Sequence, residues 1–487
     1  MRRTVAEAAV AMGGEILRGD PDARWTRATL DSRRVEGGEL FFALRGEHVD
    51  GHDFVDAALA AGAAGAVVEH LVPLPDVADT AEAAATAGGA TGETPLMPSG
   101  ALIRVPKAYD ALHALTRAVR REVPEHLVGI TGSSGKTTTK ELLALCLERR
   151  YRVAKSAGNF NNLLGFPLTL LATPAGTEWL VAEMGMSLPG ELAEISRMAR
   201  PDVALFTNVR PVHLEGLGSL EAIAAAKSEL LDGLASDGLV VANADDPWVR
   251  WIAARWTTRA AGRVIWYGGD TDYRIENLAP RAAGGTRFRL VTPEGAAEVE
   301  LPLHGAYNAE NFLAAAACAH TLGVPLPALV EAAAAAAPVG GRGAVRALPN
   351  GATLVDDSYN SNPVALRRAL ESARALPGAR HWAVLGDMLE LGPEAPRFHR
   401  EEGEAAARLG FAPVVGVGEL SRELVAGAAA AGAPAQWFAT AAEAAPWARA
   451  QLAVGDVVLV KGSRGVRLEK VVAALEQQTD AEAEAGH

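Results

Sequence analysis

The chain has 487 residues, 49% apolar and 22% charged, a globular composition with length for about three domains. Lys plus Arg number 46 and Asp plus Glu 59, a formal charge of −13, which excludes a general nucleic-acid binder but leaves room for a local basic pocket. Two cysteines, Cys146 and Cys318, both in apolar helix-like runs, exclude a disulfide scaffold or a cysteine-rich metal site.

Met1-Arg2-Arg3 starts like a signal peptide, but Glu7, Gly13, Gly14 and Glu15 break up any apolar stretch behind it. No uncharged apolar run approaches the roughly 18 residues of a bilayer span. The expectation is a soluble cytoplasmic protein with no membrane span. Residues 1–107 read as a first domain. It has short strands at Leu40 to Leu44, Ala66 to Val68 and Ala101 to Val105, and a helix-like run from Phe54 to Gly62. Pro73 to Gly100 is rich in Ala, Thr, Gly and Pro and reads as a low-complexity insertion in a surface loop.

Residues 108–337 read as a second domain. A helix from Ala108 to Arg121 leads to a strand, Leu127 to Thr131, and a helix, Lys136 to Arg149. Strand-like runs recur at Trp179 to Glu183, Val203 to Asn208, Leu239 to Ala242 and Val264 to Tyr267. Helical runs separate most of them, so the expected fold is α/β with a doubly wound, mostly parallel sheet. Alternation at Tyr273 to Asn277, Arg287 to Thr292 and Ala297 to Leu303 predicts an antiparallel patch before an Ala-rich helix. Residues 338–487 read as a third domain, Rossmann-like, with buried strands at Thr353 to Val355, Trp382 to Leu385, Val414 to Val417 and Val457 to Val460. It opens without a phosphate loop, and Gln477 to His487 reads as a frayed polar tail.

The strongest local signal is Gly129-Ile130-Thr131-Gly132-Ser133-Ser134-Gly135-Lys136-Thr137-Thr138, between a strand and a helix. Glycines let backbone N–H groups converge on phosphate oxygens, and the helix N-terminus adds partial positive charge. Lys136 would reach the β- and γ-phosphates and Thr137 would coordinate Mg²⁺. The spacing departs from the usual phosphate-loop pattern, since Ile130 stands five before Gly135 and the glycines are at 129 and 132. The motif predicts nucleotide binding and names no reaction.

Glu183 closes an apolar strand at the edge where α/β sites lie, as a magnesium ligand or a strand-end carboxylate facing water. His213, in the loop after Val203 to Asn208, reads as a functional or a surface histidine. Lys227 falls on the apolar stripe of a helix that starts at an N-cap, Ser219, four residues after Ile223. There it is either a snorkelling lysine or a desolvated amine with a lowered pKa.

With these residues in view, the chain resembles the Mur ligases of peptidoglycan synthesis over nearly its whole length. Asp31-Ser32-Arg33, Gly37 to Phe41 and Asp50-Gly51-His52 are similar to the family's uridine-nucleotide domain. Thr131 to Thr138 is similar to its ATP loop, unusual spacing included. Asn159-Phe160-Asn161-Asn162, Glu183 to Met186 and Thr207 to His213 follow its central motifs in order. Val355 to Pro363, Leu385 to Glu390 and Lys461 to Arg464 resemble the third domain of the branch that adds D-alanyl-D-alanine.

The resemblance implies an ATP-dependent ligase that joins D-alanyl-D-alanine to UDP-MurNAc-tripeptide through an acyl phosphate. Lys136, Lys227 and His213 would be catalytic. Gly132, Ser133, Ser134, Gly135, Lys136, Thr137 and Thr138 would hold ATP together with Asn308, Arg342 and Asp357. Thr137 and Glu183 would hold one magnesium and His213 a second, with Lys227 carrying a carbamate. Ser32, Arg33, Asn161, Asn162, Tyr359, Asn360 and Asp387 would touch the other substrates, and the enzyme would be a monomer. Tyr307 departs from the pattern, where many relatives have histidine. The sibling branch that adds a diamino acid is the nearest rival. It usually carries Asp-Asn-Pro-Arg or a related motif where this chain reads Gly386 to Glu390. An ATPase doing mechanical work and an inactive nucleotide-binding module are the readings from other classes.

Overall fold

A computed structural model describes residues 3–72, 100–158, 160–259, 262–281 and 284–484. The segment expected to be a low-complexity insertion, Pro73 to Gly100, therefore lies outside the described residues except at Gly100, and Asn159 lies outside them as well. By spatial proximity the chain divides into two compact units. The first comprises residues 1–127, 152–184 and 194–201, the second 128–151, 185–193 and 202–487.

In the first unit a five-stranded sheet runs in the order Glu15–Arg18, Ala101–Arg104, Gly65–Val68, Leu40–Phe42, Ala28–Thr29. The last four strands pair in parallel, and Glu15–Arg18 is antiparallel at the edge. Phe41, Val55, Leu59 and Val68 fill the core against the helix Val55–Ala60. Helix Val5–Met12 starts from a reciprocal Thr4–Glu7 capping box and stops at Gly13, whose φ of 65° suits a residue without Cβ. Strands Val153–Lys155 and Trp179–Glu183 of this unit also pair in parallel.

In the second unit the strands Arg263–Tyr267, Leu239–Asn243, Val203–Phe206 and the end of His126–Thr131 lie side by side, all parallel. The near-continuous apolar runs of the other three fit strands covered on both faces, while Arg263–Tyr267 at the edge is mostly half-buried. The antiparallel patch is a three-stranded meander, Arg274–Pro280, Thr286–Thr292 and Gly295–Leu301. Helix Ala306–Thr321 follows and packs on Lys136–Leu147. The strand expected to reach Asn208 ends at Phe206; beyond it Thr207 N–H still donates to Thr131 O, while Thr207 Oγ1 and Asn208 Oδ1 bond the phosphate loop.

A six-stranded sheet closes the second unit in the order Ala344–Ala347, Thr353–Asp357, Asp456–Lys461, Arg380–Gly386, Val414–Val417, Ala435–Phe438. Only the first strand is antiparallel. Alternate residues feed two cores, Leu354, Trp382, Val384 and Val458 on one face and Val355, Ala383, Leu385 and Leu459 on the other. The two outer strands escape a reading from periodicity, since each mixes polar and half-buried positions. The tail expected to fray is helical through Glu484, within Glu469–Glu484, as its Ala, Glu and Gln content favours. Among the described residues no helix is long and apolar enough to cross a membrane.

Candidate functional site

The loop Gly132 to Gly135 hangs from the buried strand His126–Thr131 and opens the helix Lys136–Leu147. Gly132 and Gly135 have φ of 153° and 82°. A Cβ on Gly132 would collide with Thr207 Oγ1, and one on Gly135 with Asn311 Oδ1, so both glycines are required by space as well as by backbone. The loop is held from below by the chain after Val203–Phe206. Ser133 N–H donates to Asn208 O at 2.9 Å and Ser134 N–H to Asn208 Oδ1 at 3.0 Å. Thr207 Oγ1 donates to Ser134 O at 2.8 Å, and Ser133 Oγ accepts from Arg210 N at 2.8 Å. Lys136 Nζ donates to Gly132 O at 2.8 Å, which keeps an ammonium beside the N-terminus of a twelve-residue helix. The helix N-terminus and the Lys136 side chain bring positive charge to the loop, while the Ser133 and Ser134 N–H groups are taken up by Asn208. Thr137, in the first helical turn, is buried, and Thr138 is half-buried.

Lys227 sits in the helix Leu220–Ser228, whose N-cap Ser219 accepts from Ala222 N at 3.1 Å. Its side chain is buried, with 2% of its surface exposed, so it does not snorkel. Burial drives its amine well below the ordinary lysine range, and the positive charge of Lys136 adds to the effect. His213 has a left-handed backbone, φ 54°, and its Nδ1 bonds the Glu390 carboxylate. That bond holds Glu390 below the usual carboxylate range. Glu183, in the first unit, is 2% exposed, which removes the water-facing reading. Its N–H donates to Ser156 Oγ at 2.9 Å, and its carboxylate accepts from Asn161 Nδ2 at 2.8 Å.

Asp357, Asn360 and Lys461 meet in one place. Lys461 Nζ donates to Asp357 Oδ2 at 2.6 Å and to Asn360 O at 2.9 Å. Burial raises the Asp357 carboxyl, while Lys461 and Arg342 pull it back down. The Arg342 guanidinium lies 4.1 Å from the Tyr359 ring centre, and that of Arg464 lies 5.4 Å from it. Asn308 is buried and donates to His304 O at 2.7 Å; beside it Tyr307 packs so close to Gly343 that no Cβ fits there.

Several expected substrate contacts have local partners. Asn161 bonds Glu183, and Asn162 Oδ1 caps the helix Gly165–Leu171 through Gly165 N at 2.8 Å. Arg33 makes a two-point contact with Asp31 at 2.8 and 2.9 Å, beside Ser32 in a short 3₁₀ turn. Asp387 Oδ1 accepts from both N and Oγ of Ser421 at 2.7 Å, bracing the start of a helix. Asn208, Glu390 and Lys461 bond expected site residues or the phosphate loop; in the sequence they stand only inside matching segments, with no role for any of the three. Lys461 carried a usable signal, a lysine directly after the apolar run Val457 to Val460.

Three family profiles match in tandem. They are the Mur ligase family catalytic domain over residues 26–119, the Mur ligase middle domain over 130–319 and the Mur ligase glutamate ligase domain over 341–464. The chain belongs to the Mur ligase family. This Mur ligase is 34% identical over 475 residues to the UDP-N-acetylmuramoyl-tripeptide–D-alanyl-D-alanine ligase of Escherichia coli, covering 95% of this chain and 97% of the relative. The ligase of that name from Mycobacterium tuberculosis H37Rv is 36% identical over 504 residues, 97% of each chain. Among solved structures, MurF from Acinetobacter baumannii superposes with a TM-score of 0.83 at 28% identity, covering 97% of this chain and 98% of that one. MurF from Thermotoga maritima in complex with ADP gives 0.76 at 28% identity, covering 94% and 98%. The expected α/β fold of the Mur ligases is thereby shown. Among the described residues no three His, Cys, Asp or Glu side chains cluster as a self-sufficient metal cage. Taken unit by unit, the buried Glu183 carboxylate of the first and the Thr137 hydroxyl and His213 imidazole of the second are donor types compatible with Mg²⁺, which takes few protein ligands and completes its shell with phosphate oxygens and water.

Proposed function

We propose that this Mur ligase joins D-alanyl-D-alanine to UDP-N-acetylmuramoyl-tripeptide, consuming ATP and releasing ADP and phosphate. The observation that carries the reading is the near full-length match, at 31–36% identity, to curated ligases of that name. The diamino-acid alternative has weaker support, a structural likeness at 23% identity and a TM-score of 0.51, which speaks for the fold alone.

The tripeptide carboxylate is a poor acylating agent, so its oxygen attacks the γ-phosphorus of ATP, the bond to ADP breaks, and an acyl phosphate forms. The dipeptide amine then attacks the acyl carbon, phosphate leaves, and the amine loses a proton. The first step brings an anion onto an anion. One unit-charge pair about 4 Å apart costs about 4 kcal/mol at an effective dielectric near 20, roughly a thousandfold in rate. Lys136 and the first turn of its helix offset that repulsion and orient the phosphates. Mg²⁺, one ion with Thr137 and Glu183 as protein donors and a second with His213, would supply further charge neutralisation when bound. The neutral amine of Lys227 is the form that adds carbon dioxide. Nitrogen bonds to carbon, one N–H proton passes to solvent, and a singly negative carbamate results. In this reading residues 1–107 take the uridine nucleotide, 108–337 the ATP, and 338–487 the dipeptide and part of the ATP. The enzyme works as a cytoplasmic monomer.

The test is phosphate release from ATP with UDP-MurNAc-tripeptide, comparing D-alanyl-D-alanine with a diamino acid as acceptor. Release dependent on both the muramoyl peptide and the dipeptide is expected. Full-speed ATP consumption with no muramoyl peptide overturns the proposal.

A further inference from the structure

His213 and Glu390 are 177 residues apart, yet each adopts a left-handed backbone, with φ of 54° and 64°. For an L-residue that conformation costs about 1–2 kcal/mol and persists where the surroundings enforce it. Here the two turns enforce each other. The Glu390 carboxylate bonds His213 Nδ1, and Glu390 O accepts from Glu215 N at 3.2 Å. Gly392, φ 60°, lies against the same stretch, and a Cβ on it would sit 3.4 Å from Glu215 Cα. A lone exposed ion pair would be worth little. This one is fixed by a backbone hydrogen bond and by two turns strained to face one another.

We propose that Glu390 is a positioning residue: its carboxylate accepts the Nδ1 hydrogen of His213, fixes the ring, and selects the tautomer with its lone pair on Nε2. A neutral imidazole carries one hydrogen, so occupying Nδ1 leaves Nε2 as the only nitrogen able to ligate a cation. A carboxylate behind a ligating histidine characteristically raises its affinity for metal about 10- to 100-fold. The cation half of this inference rests on the proposed function; the tautomer half does not.

Two measurements separate them. In ¹⁵N-histidine-labelled full-length protein, at a pH where the ring is neutral, the His213 ring shifts report the tautomer. The Nδ1–H form is expected in the wild type and in Glu390→Gln, which keeps an acceptor oxygen. Glu390→Ala is expected to shift His213 towards the Nε2–H form. Mn²⁺ binding in the presence of a non-hydrolysable ATP analogue, followed by electron paramagnetic resonance, reads the second half. Affinity is expected to fall about tenfold in Glu390→Ala and to stay near wild type in Glu390→Gln. An unchanged tautomer in Glu390→Ala overturns the proposal, and so does a Glu390→Gln protein that behaves like the alanine variant. Unaltered Mn²⁺ binding in His213→Ala instead removes the metal reading of His213, and the ring shifts still decide what Glu390 does.

Discussion

Lys227 places the competition between stability and chemistry in one side chain. A lysine buried to 2% exposure has its amine pushed well below the ordinary lysine range by desolvation and by the nearby charge of Lys136, which favours the neutral form. In the unfolded chain the same amine holds its proton up to about 10.4. Between the two pKa values the unfolded state binds more protons, so this residue makes stability rise with pH and costs stability at neutral pH. Lys227→Met should therefore leave the melting temperature at pH 7 unchanged or higher and flatten its rise towards pH 9, measured in bicarbonate-free buffer. Ligation in the same variant should fall about a hundredfold or more, the scale of removing one electrostatic stabiliser. In Lys227→Ala a short carboxylic acid or bicarbonate should restore part of the rate by filling the vacated space. Wild-type turnover in either variant would show that the amine takes no part in the reaction.

At the scale of elements, the phosphate loop and the helix carrying Lys227 are each built by local rules, which is why both were legible in the sequence. The loop announces itself through glycines, a lysine and a helix start within ten residues. The helix announces itself through an N-cap and an apolar stripe. What holds the loop was not legible, because Asn208 lies 74 residues from Ser134, and no local pattern says that a strand end will fold back beneath it. The same holds for Lys461, 104 residues from Asp357. Asn161, Asn162 and Asp387 show the reverse case. A matching segment marks a polar residue without saying whether it faces a substrate or braces a neighbour, and here each has a close partner within the protein. Two predictions belong to this scale. Gly132→Ala must push Thr207 aside or distort the loop, at about 1–3 kcal/mol of strain. Binding of a fluorescent ATP analogue should weaken about tenfold or more while the fold survives. Ser219→Ala removes the cap bond to Ala222 and should lower unfolding stability by about 1 kcal/mol in urea, with an unchanged slope.

For the whole molecule the question is whether the phosphate loop works without the residues after Pro338. Composition and strand–helix alternation made the α/β architecture readable, but not which segments pack together. In the second unit the packing is extensive. Arg368 reaches Glu310 at 2.7 Å, His213 meets Glu390, and Gly305 lies against Ser372. Arg342, Asp357 and Lys461 also lie beyond Pro338, and hydrogen bonds to charged groups are each worth about 1.5–3 kcal/mol. A chain ending at Pro338 should therefore bind an ATP analogue about tenfold or more weakly and form no peptide product. Supplying residues 339–487 as a separate chain should not restore the full rate, because association would have to replace a covalent connection. Product formation by the shortened chain alone at the wild-type rate would mean that the middle segment assembles the reacting groups unaided. The buried Lys461–Asp357 pair would then serve only to hold its own sheet together.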